Sequence, residues 1–175
     1  MSIGQEYLRA VRGRFDQLKD LGDRAVAQLN DQEIHHVPGP ESNSIAVIVR
    51  HLSGNMISRW TDFLTTDGEK PDRNRDGEFE IVSVTKAELR EISEAGWKTL
   101  FGALDSLDED DLLKEIFIRG ERHTVIEAME RHLSHVASHI GQIVYIAKML
   151  TGENWETLSI PKGQSETYRT KPLGQ

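Results

Sequence analysis

Apolar residues near the start of the chain recur at alternating spacings of three and four positions. This period matches one face of an α-helix, so it predicts a first helix from Tyr7 to Leu29. Prolines, a glycine and polar residues fill the stretch from Asn30 to Ser42, which predicts that the helix ends in a loop there. The inward positions of this helix are Leu8, Val11, Phe15, Leu18, Gly22, Ala25 and Leu29.

A second helix is predicted to begin after Ser42 or Ser44, either of which can cap it, and to run to about Leu64. Its apolar residues occupy most sides rather than one stripe, which is typical of a helix buried against several neighbours. These residues are Ile45, Val47, Ile48, Leu52, Met56, Ile57, Trp60 and Phe63.

Two later helices each open with a capping box, the motif T-x-x-E in which the two side chains bond to free backbone groups of the first turn. The boxes begin at Thr85 and Thr124. The fourth helix is predicted to run to Gly152, because glycine favours helix ends. Gly96 falls in the middle of the third helix and is predicted to be a weak point. The inward residues of the third helix are Leu89, Ile92, Leu100, Ala103 and Leu107.

Four such helices bury their apolar faces most simply by packing on each other. The predicted fold class is therefore all-α, a four-helix bundle over residues 1–152. Residues 153–175 are predicted to form a polar C-terminal arm that is partly ordered. The segment from Glu115 to His123 alternates briefly around Arg119 and Gly120, which leaves a short hairpin and an irregular bridge as alternatives.

The composition narrows the function classes. The chain has 175 residues, enough for one domain, and no cysteine, so it supplies neither a disulfide nor a thiolate. No apolar run suits a membrane span or a signal peptide, which predicts a cytoplasmic protein without membrane partners. The formal net charge of -8 repels phosphate backbones, so nucleic acid is not an expected partner.

Three histidines of the fourth helix, His132, His135 and His139, lie on one flank of its apolar stripe. His135 and His139 are one turn apart, so both rings can reach one metal ion. His132 and His139 are about 10 Å apart along the helix axis, too far to share that ion. A pairing of His132 with His135 ranks lower, because it leaves His139 without a role.

A third ligand can come from the second helix, where His51 shares a stripe with Gly54, Asn55, Ser58 and Asp62. Small and polar residues there predict room for water and a small-molecule substrate. The spacing alone is equally consistent with a stripe that faces solvent and with core histidines bonded to backbone or water.

Several segments resemble a known family. The sequence from His135 to Gln142 reads H-V-A-S-H-I-G-Q and resembles the H-x-x-x-H-x-G-Q signature of the DinB-like superfamily of metal-binding four-helix bundles. His51, followed by a leucine and by Trp60 nine residues on, is similar to the superfamily's first ligand motif. Residues 58–64 and 155–161 look like a DinB-like subgroup of uncharacterised function.

This resemblance covers nearly the whole chain and implies that His51, His135 and His139 hold a metal ion. Ser138 stands where many members have a second histidine, at a position that is not a ligand. Three neutral imidazoles with an open fourth position suit Zn²⁺ best, and Ni²⁺, Fe²⁺ or Mn²⁺ are alternatives.

Two amides lie within one helical turn of the candidate ligands. Asn55 and Gln142 are candidates to orient a ligand or a bound water. The simpler explanation of each is an ordinary amide that packs between helices.

The loop between the second and third helices carries half of a calcium motif. Residues 72–77 place oxygen ligands and a glycine at the first EF-hand positions. Position twelve, which requires a bidentate glutamate, is Ser83, and no exiting helix is predicted there. The segment is therefore interpreted as a charged loop that covers the site.

An open metal site activates a water molecule or a thiol at neutral pH, so hydrolysis and thiol transfer both follow from it. Characterised DinB-like relatives include thiol-dependent transferases and isomerases. The resemblance therefore implies a transferase that uses a low-molecular-weight thiol as cosubstrate. The alternatives are a metal-dependent hydrolase and a non-enzymatic metal-binding stress-response protein. No catalytic residue is assigned, and a homodimer is expected because related bundles often pair.

Overall fold

Four α-helices form the core of the protein in the structure, a computed structural model that describes residues 1–80 and 83–166. Within those ranges, the helices are α1 (Ile3–Ala27), α2 (Ile45–Trp60), α3 (Lys86–Asp105) and α4 (Val125–Thr151). α2 packs mainly against α3, and α1 packs mainly against α4, so the apolar faces of all four helices share one core. The predicted all-α bundle is confirmed.

The caps predicted from the sequence begin three of the four helices. Ser44, Thr85 and Thr124 each accept a hydrogen bond from the backbone N–H three residues later. α1 begins before the predicted Tyr7, because Ser2 forms a capping box with Gln5.

α2 ends before the predicted Leu64. Thr61 is its C-cap, and Asp62 then adopts a left-handed conformation with a φ of 46°. Such a residue cannot continue a right-handed helix, so the chain turns into a loop before the apolar pattern ends. Phe63 lies beyond the helix and is still buried, with its ring 5.0 Å from that of Trp60. The apolar pattern therefore reports burial here and not helix length.

The segment left undecided by the sequence is a hairpin. Strands β1 (Glu115–Ile118) and β2 (Glu121–Thr124) pair antiparallel. The two residues between them, Arg119 and Gly120, have φ values of 56° and 75°, which is typical of a type I′ turn. Ile116 and Ile118 of β1 are buried, so the hairpin closes one part of the core.

α2 and α3 approach each other closely at Gly96. A Cβ atom at this position would lie 2.7 Å from the Cα atom of Ser53. The Ser53 hydroxyl also donates a hydrogen bond to the Ile92 carbonyl oxygen, at 2.6 Å. The missing side chain at Gly96 allows the two helices to approach here, a packing role that the sequence did not indicate.

The first part of the C-terminal arm packs on its own bundle. Trp155 and Leu158 are half-buried against the core. Gln28, the C-cap of α1, exchanges two hydrogen bonds with the backbone of Glu156, at 3.1 and 2.8 Å. Residues 167–175 of the predicted arm lie outside the described residues. Among the described residues, no helix combines the length and the apolar character that a membrane span requires.

Candidate metal centre

Two neighbouring helices bring three histidine rings together. His51 comes from the middle of α2, and His135 and His139 come from one face of α4. One nitrogen from each ring lies within 4.8 Å of the others. The ring planes are nearly perpendicular, at 67° to 88° for the three pairs, so the rings converge without stacking. The structure thus gathers the three side chains that the sequence singled out.

The spacing of the facing nitrogens fits a tetrahedral metal ion. Nε2 of His51 lies 3.2 Å from Nε2 of His135. Two nitrogens that bind one tetrahedral Zn²⁺ at the usual bond length are about 3.3–3.4 Å apart. The same distance also suits a hydrogen bond when one of the two nitrogens carries a proton. His51 and His135 therefore satisfy each other without an ion, at a spacing that also suits two ligands of one ion.

The outward nitrogens of two rings are fixed by hydrogen bonds. His51 donates from Nδ1 to a carboxylate oxygen of Glu78, at 2.9 Å. His139 donates from Nδ1 to the amide oxygen of Gln142, at 3.2 Å. A proton on Nδ1 leaves Nε2 with a free lone pair, so both rings present their Nε2 atoms inward. Histidines that bind metals are held in this way in most known sites.

Glu78 is itself held by an arginine. Arg73 donates from Nε and Nη2 to the two carboxylate oxygens, at 2.7 and 2.8 Å. Both side chains are largely buried, with 5% and 11% exposed. Burial alone raises the pKa of Glu78, but the hydrogen bonds from His51 and Arg73 outweigh it and hold the pKa below its ordinary value. Glu78 is therefore a carboxylate at neutral pH and orients His51.

Small residues on α2 make room for the loop that follows the helix. A Cβ atom on Gly54 would lie 2.3 Å from a carboxylate oxygen of Glu78. Ser58 fastens the same loop, because its hydroxyl donates to the Gly68 carbonyl oxygen and accepts from the Lys70 N–H. The sequence predicted that these positions leave room for a substrate. That prediction was wrong for Gly54 and Ser58, since loop residues occupy the space.

The loop also covers one face of the site. The ring of Phe79 lies 4.8 Å from that of His51. His51 is only 5% exposed as a result, whereas His135 and His139 are half-buried. Solvent therefore approaches the three nitrogens from the side of α4. This placement agrees with the interpretation of the segment as a charged loop over the site.

Burial keeps the α4 histidines neutral. It lowers the pKa of His135 to about 4, and the neighbouring rings of His139 and His51 add to the effect. Burial, followed by the proximity of His51, also lowers the pKa of His139, against the opposing hydrogen bond to Gln142. Metal ions bind neutral imidazole, so few protons have to be displaced at neutral pH.

His132 takes no part in the cluster. It lies between Phe15 and Trp60, with ring centroids 5.7 and 5.4 Å away, and is buried. Its Nε2 atom has no hydrogen-bond partner among the described residues. Burial lowers its pKa well below the ordinary value, so the ring is neutral. The lower-ranked pairing of His132 with His135 does not form the cluster that the structure shows.

Asn55 and Gln142, the two amides considered from the sequence, differ in position. Gln142 bonds to His139, as described above. Asn55 is buried on α2, and within the described ranges no hydrogen bond joins its side chain to the three rings. Glu78 and Arg73 were not singled out from the sequence. The only available signal was the alternation of acidic and basic residues in their loop, which does not say which one reaches a histidine.

A cavity of about 450 Å³ lies elsewhere in the bundle. Residues of all four helices line it, and none of the three histidines is among them. Its walls are mostly apolar and include Leu52, Met56, Leu89 and Trp97. The cavity is therefore separate from the candidate metal centre.

A known protein family matches most of the chain. A family model described as "protein of unknown function (DUF1572)" matches residues 2–164. No curated protein matches the chain.

Proposed function

Since the chain belongs to the DUF1572 family, whose description assigns no function, we propose from the site itself that the protein binds one divalent metal ion through His51, His135 and His139. We further propose that it is an enzyme that uses this ion to act on a small molecule, with a low-molecular-weight thiol as cosubstrate. The observation that carries the proposal is the convergence of three imidazoles whose outward nitrogens are hydrogen-bonded.

The donor set supports a catalytic type of metal site. Three neutral imidazoles leave one position of a tetrahedral ion open, which suits Zn²⁺ best and also admits Ni²⁺, Fe²⁺ or Mn²⁺. When bound, such an ion supplies Lewis acidity that activates a water molecule or a thiol near neutral pH. The chain's own contribution is orientation, because Glu78 and Arg73 hold His51, and Gln142 holds His139.

The choice of a thiol cosubstrate rests on resemblance and composition. DUF1572 is a family of the DinB-like type, and characterised DinB-like relatives include thiol-dependent transferases and isomerases. The chain has no cysteine, so a sulfur nucleophile has to come from another molecule. A hydrolase remains the enzymatic alternative, because the same open position can activate water.

One observation favours a non-enzymatic function as the second candidate. Phe79 and Glu78 cover the His51 side of the cluster, and the 450 Å³ cavity does not adjoin it. A covered cluster suits a protein that stores or senses a metal ion as well as one that uses it. The two candidates share the metal site and differ only in turnover.

The test measures metal content and turnover on the same samples. Protein stripped with a chelator is reloaded with Zn²⁺ or Ni²⁺ and assayed with thiols plus a chloronitrobenzene electrophile, and separately with a nitrophenyl ester. We expect one ion per chain and metal-dependent thiol transfer, with both lost in His139→Ala. The matched control is His36→Ala, which changes an exposed histidine outside the cluster.

The outcomes separate the candidates. Ester hydrolysis without thiol transfer supports the hydrolase. One bound ion per chain without turnover supports the non-enzymatic protein. A wild-type protein that binds no ion would contradict the transferase, the hydrolase and the non-enzymatic metal-binding protein alike. The expected cytoplasmic location and the expected homodimer stay predictions. Sedimentation at working concentrations tests the homodimer.

A further inference from the structure

Arg59, near the C-terminal end of α2, has a buried side chain with no counterion among the described residues. The residue is 8% exposed. Its Nε atom is buried and has no hydrogen-bond partner, and no ion pair joins the side chain to any described part of the protein. Burying a charged group without a partner is costly, so native proteins usually supply a carboxylate, a hydrogen-bond acceptor or a ligand.

The fold holds the Arg59 side chain in place. A Cβ atom on Gly68 would lie 2.9 Å from the Cδ atom of Arg59, so the loop backbone crosses close to the arginine side chain. That crossing is fixed on both sides. Ser58 bonds to the Gly68 carbonyl oxygen, and the Gly68 N–H donates to the Phe117 carbonyl oxygen of β1 at 2.8 Å. The aliphatic part of the Arg59 side chain therefore lies against a fixed stretch of backbone.

The nearby carboxylates are already occupied by other residues. Glu69 pairs with Arg73 and Arg119, at 3.2 and 3.3 Å. Glu78 pairs with Arg73 and with His51. Arg73, Arg119 and His51 thus occupy both carboxylates, and no ion pair joins Arg59 to the described residues. Burial, and after it the positive charge of Arg131, lower the pKa of Arg59 to about 10, so the side chain is still charged at neutral pH.

The fold brings Arg59 near the candidate metal centre. The ring of the next residue, Trp60, lies 5.4 Å from that of His132, which is one turn before His135 on α4. Arg59 also shares α2 with His51, about 12 Å further along the helix axis. An arginine side chain can span a large part of that distance. A small molecule that spans the remaining distance can contact both groups.

We propose that Arg59 binds a carboxylate group of the substrate beside the three-histidine cluster, so that the substrates of this protein are small carboxylic acids. That the bound acid is a substrate rests on the proposed function. That Arg59 binds an anion rests on the geometry alone. A planar guanidinium donates two parallel hydrogen bonds to a carboxylate. The single positive charge of Arg59 is matched by the single negative charge of a carboxylate.

The test follows the Arg59 Nε–H signal in a nitrogen-correlated NMR spectrum of the full chain. Metal-free and zinc-loaded proteins are each titrated with acetate and with benzoate, against chloride at the same ionic strength. We expect a saturable shift of this signal with either carboxylate and none with chloride. A shift that does not saturate, or that chloride reproduces, would overturn the inference.

Two variants define the role of the guanidinium. Arg59→Lys keeps the positive charge and an aliphatic stem but lacks the planar guanidinium that donates two parallel hydrogen bonds. We expect it to weaken carboxylate affinity about tenfold or more. The matched control is Arg131→Gln, which removes an exposed charge of the same region and should change the affinity less than about threefold. Equal losses in the two variants would indicate diffuse attraction and overturn the proposal.

Zinc affinity, measured by calorimetry on the same samples, separates this inference from the proposed function. We expect Arg59→Lys to bind zinc like the wild type, because no nitrogen of Arg59 belongs to the cluster. Zinc binding without a carboxylate response at Arg59 removes the inference and leaves the proposed function intact. A carboxylate response without zinc binding supports the anion site and removes the proposed function.

Discussion

Glu78 reaches His51 across 27 residues of sequence, and its carboxylate oxygen lies 2.9 Å from the ring nitrogen Nδ1. The contact exists because Gly54, one turn after His51, leaves the space that the carboxylate fills. Arg73 then bonds to both oxygens of Glu78. The loop after α2 is therefore part of the histidine site, since it determines which nitrogen of His51 faces the other two rings.

Replacing Glu78 with glutamine is expected to weaken zinc binding. Glutamine retains an oxygen that can accept from Nδ1 of His51, but it loses the negative charge that makes the ring a stronger donor to the metal. It also loses one of the two oxygens that accept hydrogen bonds from Arg73. Partners of this kind change metal affinity by about 10–100-fold, and we expect the lower end of that range, measured by competition with a chelating dye.

Glu80→Gln is the matched control for this change. Glu80 belongs to the same loop, but its side chain is exposed, and the contact with Arg50 uses its backbone carbonyl oxygen. Zinc affinity should stay within about twofold of the wild type. Equal losses in the two variants would show that the net charge of the loop matters and that the contact with His51 does not.

Adding a methyl group at Gly54 is expected to have the same effect as removing the carboxylate. In Gly54→Ala the new Cβ atom would overlap with Glu78, which is the movable end of a side chain and can swing away. The helix therefore survives, and the hydrogen bond to His51 is lost. Zinc affinity should fall about as far as in Glu78→Ala, and the double variant should bind no more weakly than either single variant.

Gly13→Ala provides the comparison for Gly54. No atom outside α1 lies near a Cβ at that position, so zinc affinity should not change. Additive losses in the Gly54 and Glu78 double variant would contradict a shared mechanism. They would indicate that the methyl group disturbs α2 itself.

Local signals in the sequence were sufficient for the order of the four helices and for two of the three histidines. Caps such as Thr124 and the apolar period fix where α4 begins and which face is buried. His135 and His139 meet because they are one turn apart on that helix. The placement of His51 opposite them depends on how α2 packs, which the residues suggested only through its polar stripe and through family resemblance.

The contribution of Glu78 could not be predicted, because it depends on tertiary structure. Loop residues have no period, and many charged neighbours share the segment from Glu69 to Glu80. Which of them reaches His51 depends on where the loop is fastened, at Ser58 and at the hairpin turn. Asp67 accepts hydrogen bonds from the backbone of Arg119 and Gly120, both at 2.8 Å. These contacts join segments far apart in sequence and leave no local pattern.

Gly96→Ala is expected to destabilise the protein although alanine favours helices. The added Cβ atom would approach the backbone of Ser53, which cannot move without separating α2 from α3. Overpacking of this kind costs about 1–3 kcal/mol of unfolding free energy, measured by urea denaturation. Gly102→Ala on the same helix has open space around the new atom and should stabilise the protein by about 0.5–1 kcal/mol. Equal effects at the two positions would contradict the packing argument.

His135 makes the stability of the metal-free protein depend on pH. Burial and the neighbouring His139 and His51 rings lower its pKa to about 4 in the folded state, from an ordinary value of 6.5. The unfolded chain therefore takes up this proton first as the pH falls. Stability is complete above about pH 6.5 and is lost progressively as the pH approaches 4. The low pKa values of His132 and His139 act in the same direction.

Urea denaturation of the metal-free protein at a series of pH values between 7 and 4 measures this dependence. The difference between the two pKa values of His135 corresponds to about 2–3 kcal/mol once its partial exposure is allowed for. His135→Gln cannot take up a proton, so its unfolding free energy should fall less steeply over the same range, while the slope from His132 and His139 remains. The exposed His36 supplies the control, and His36→Gln should follow the wild type. An unchanged slope in His135→Gln would mean that residue 135 has the same proton affinity in the folded and unfolded chains, and that burial does not keep this ring ready for a metal ion.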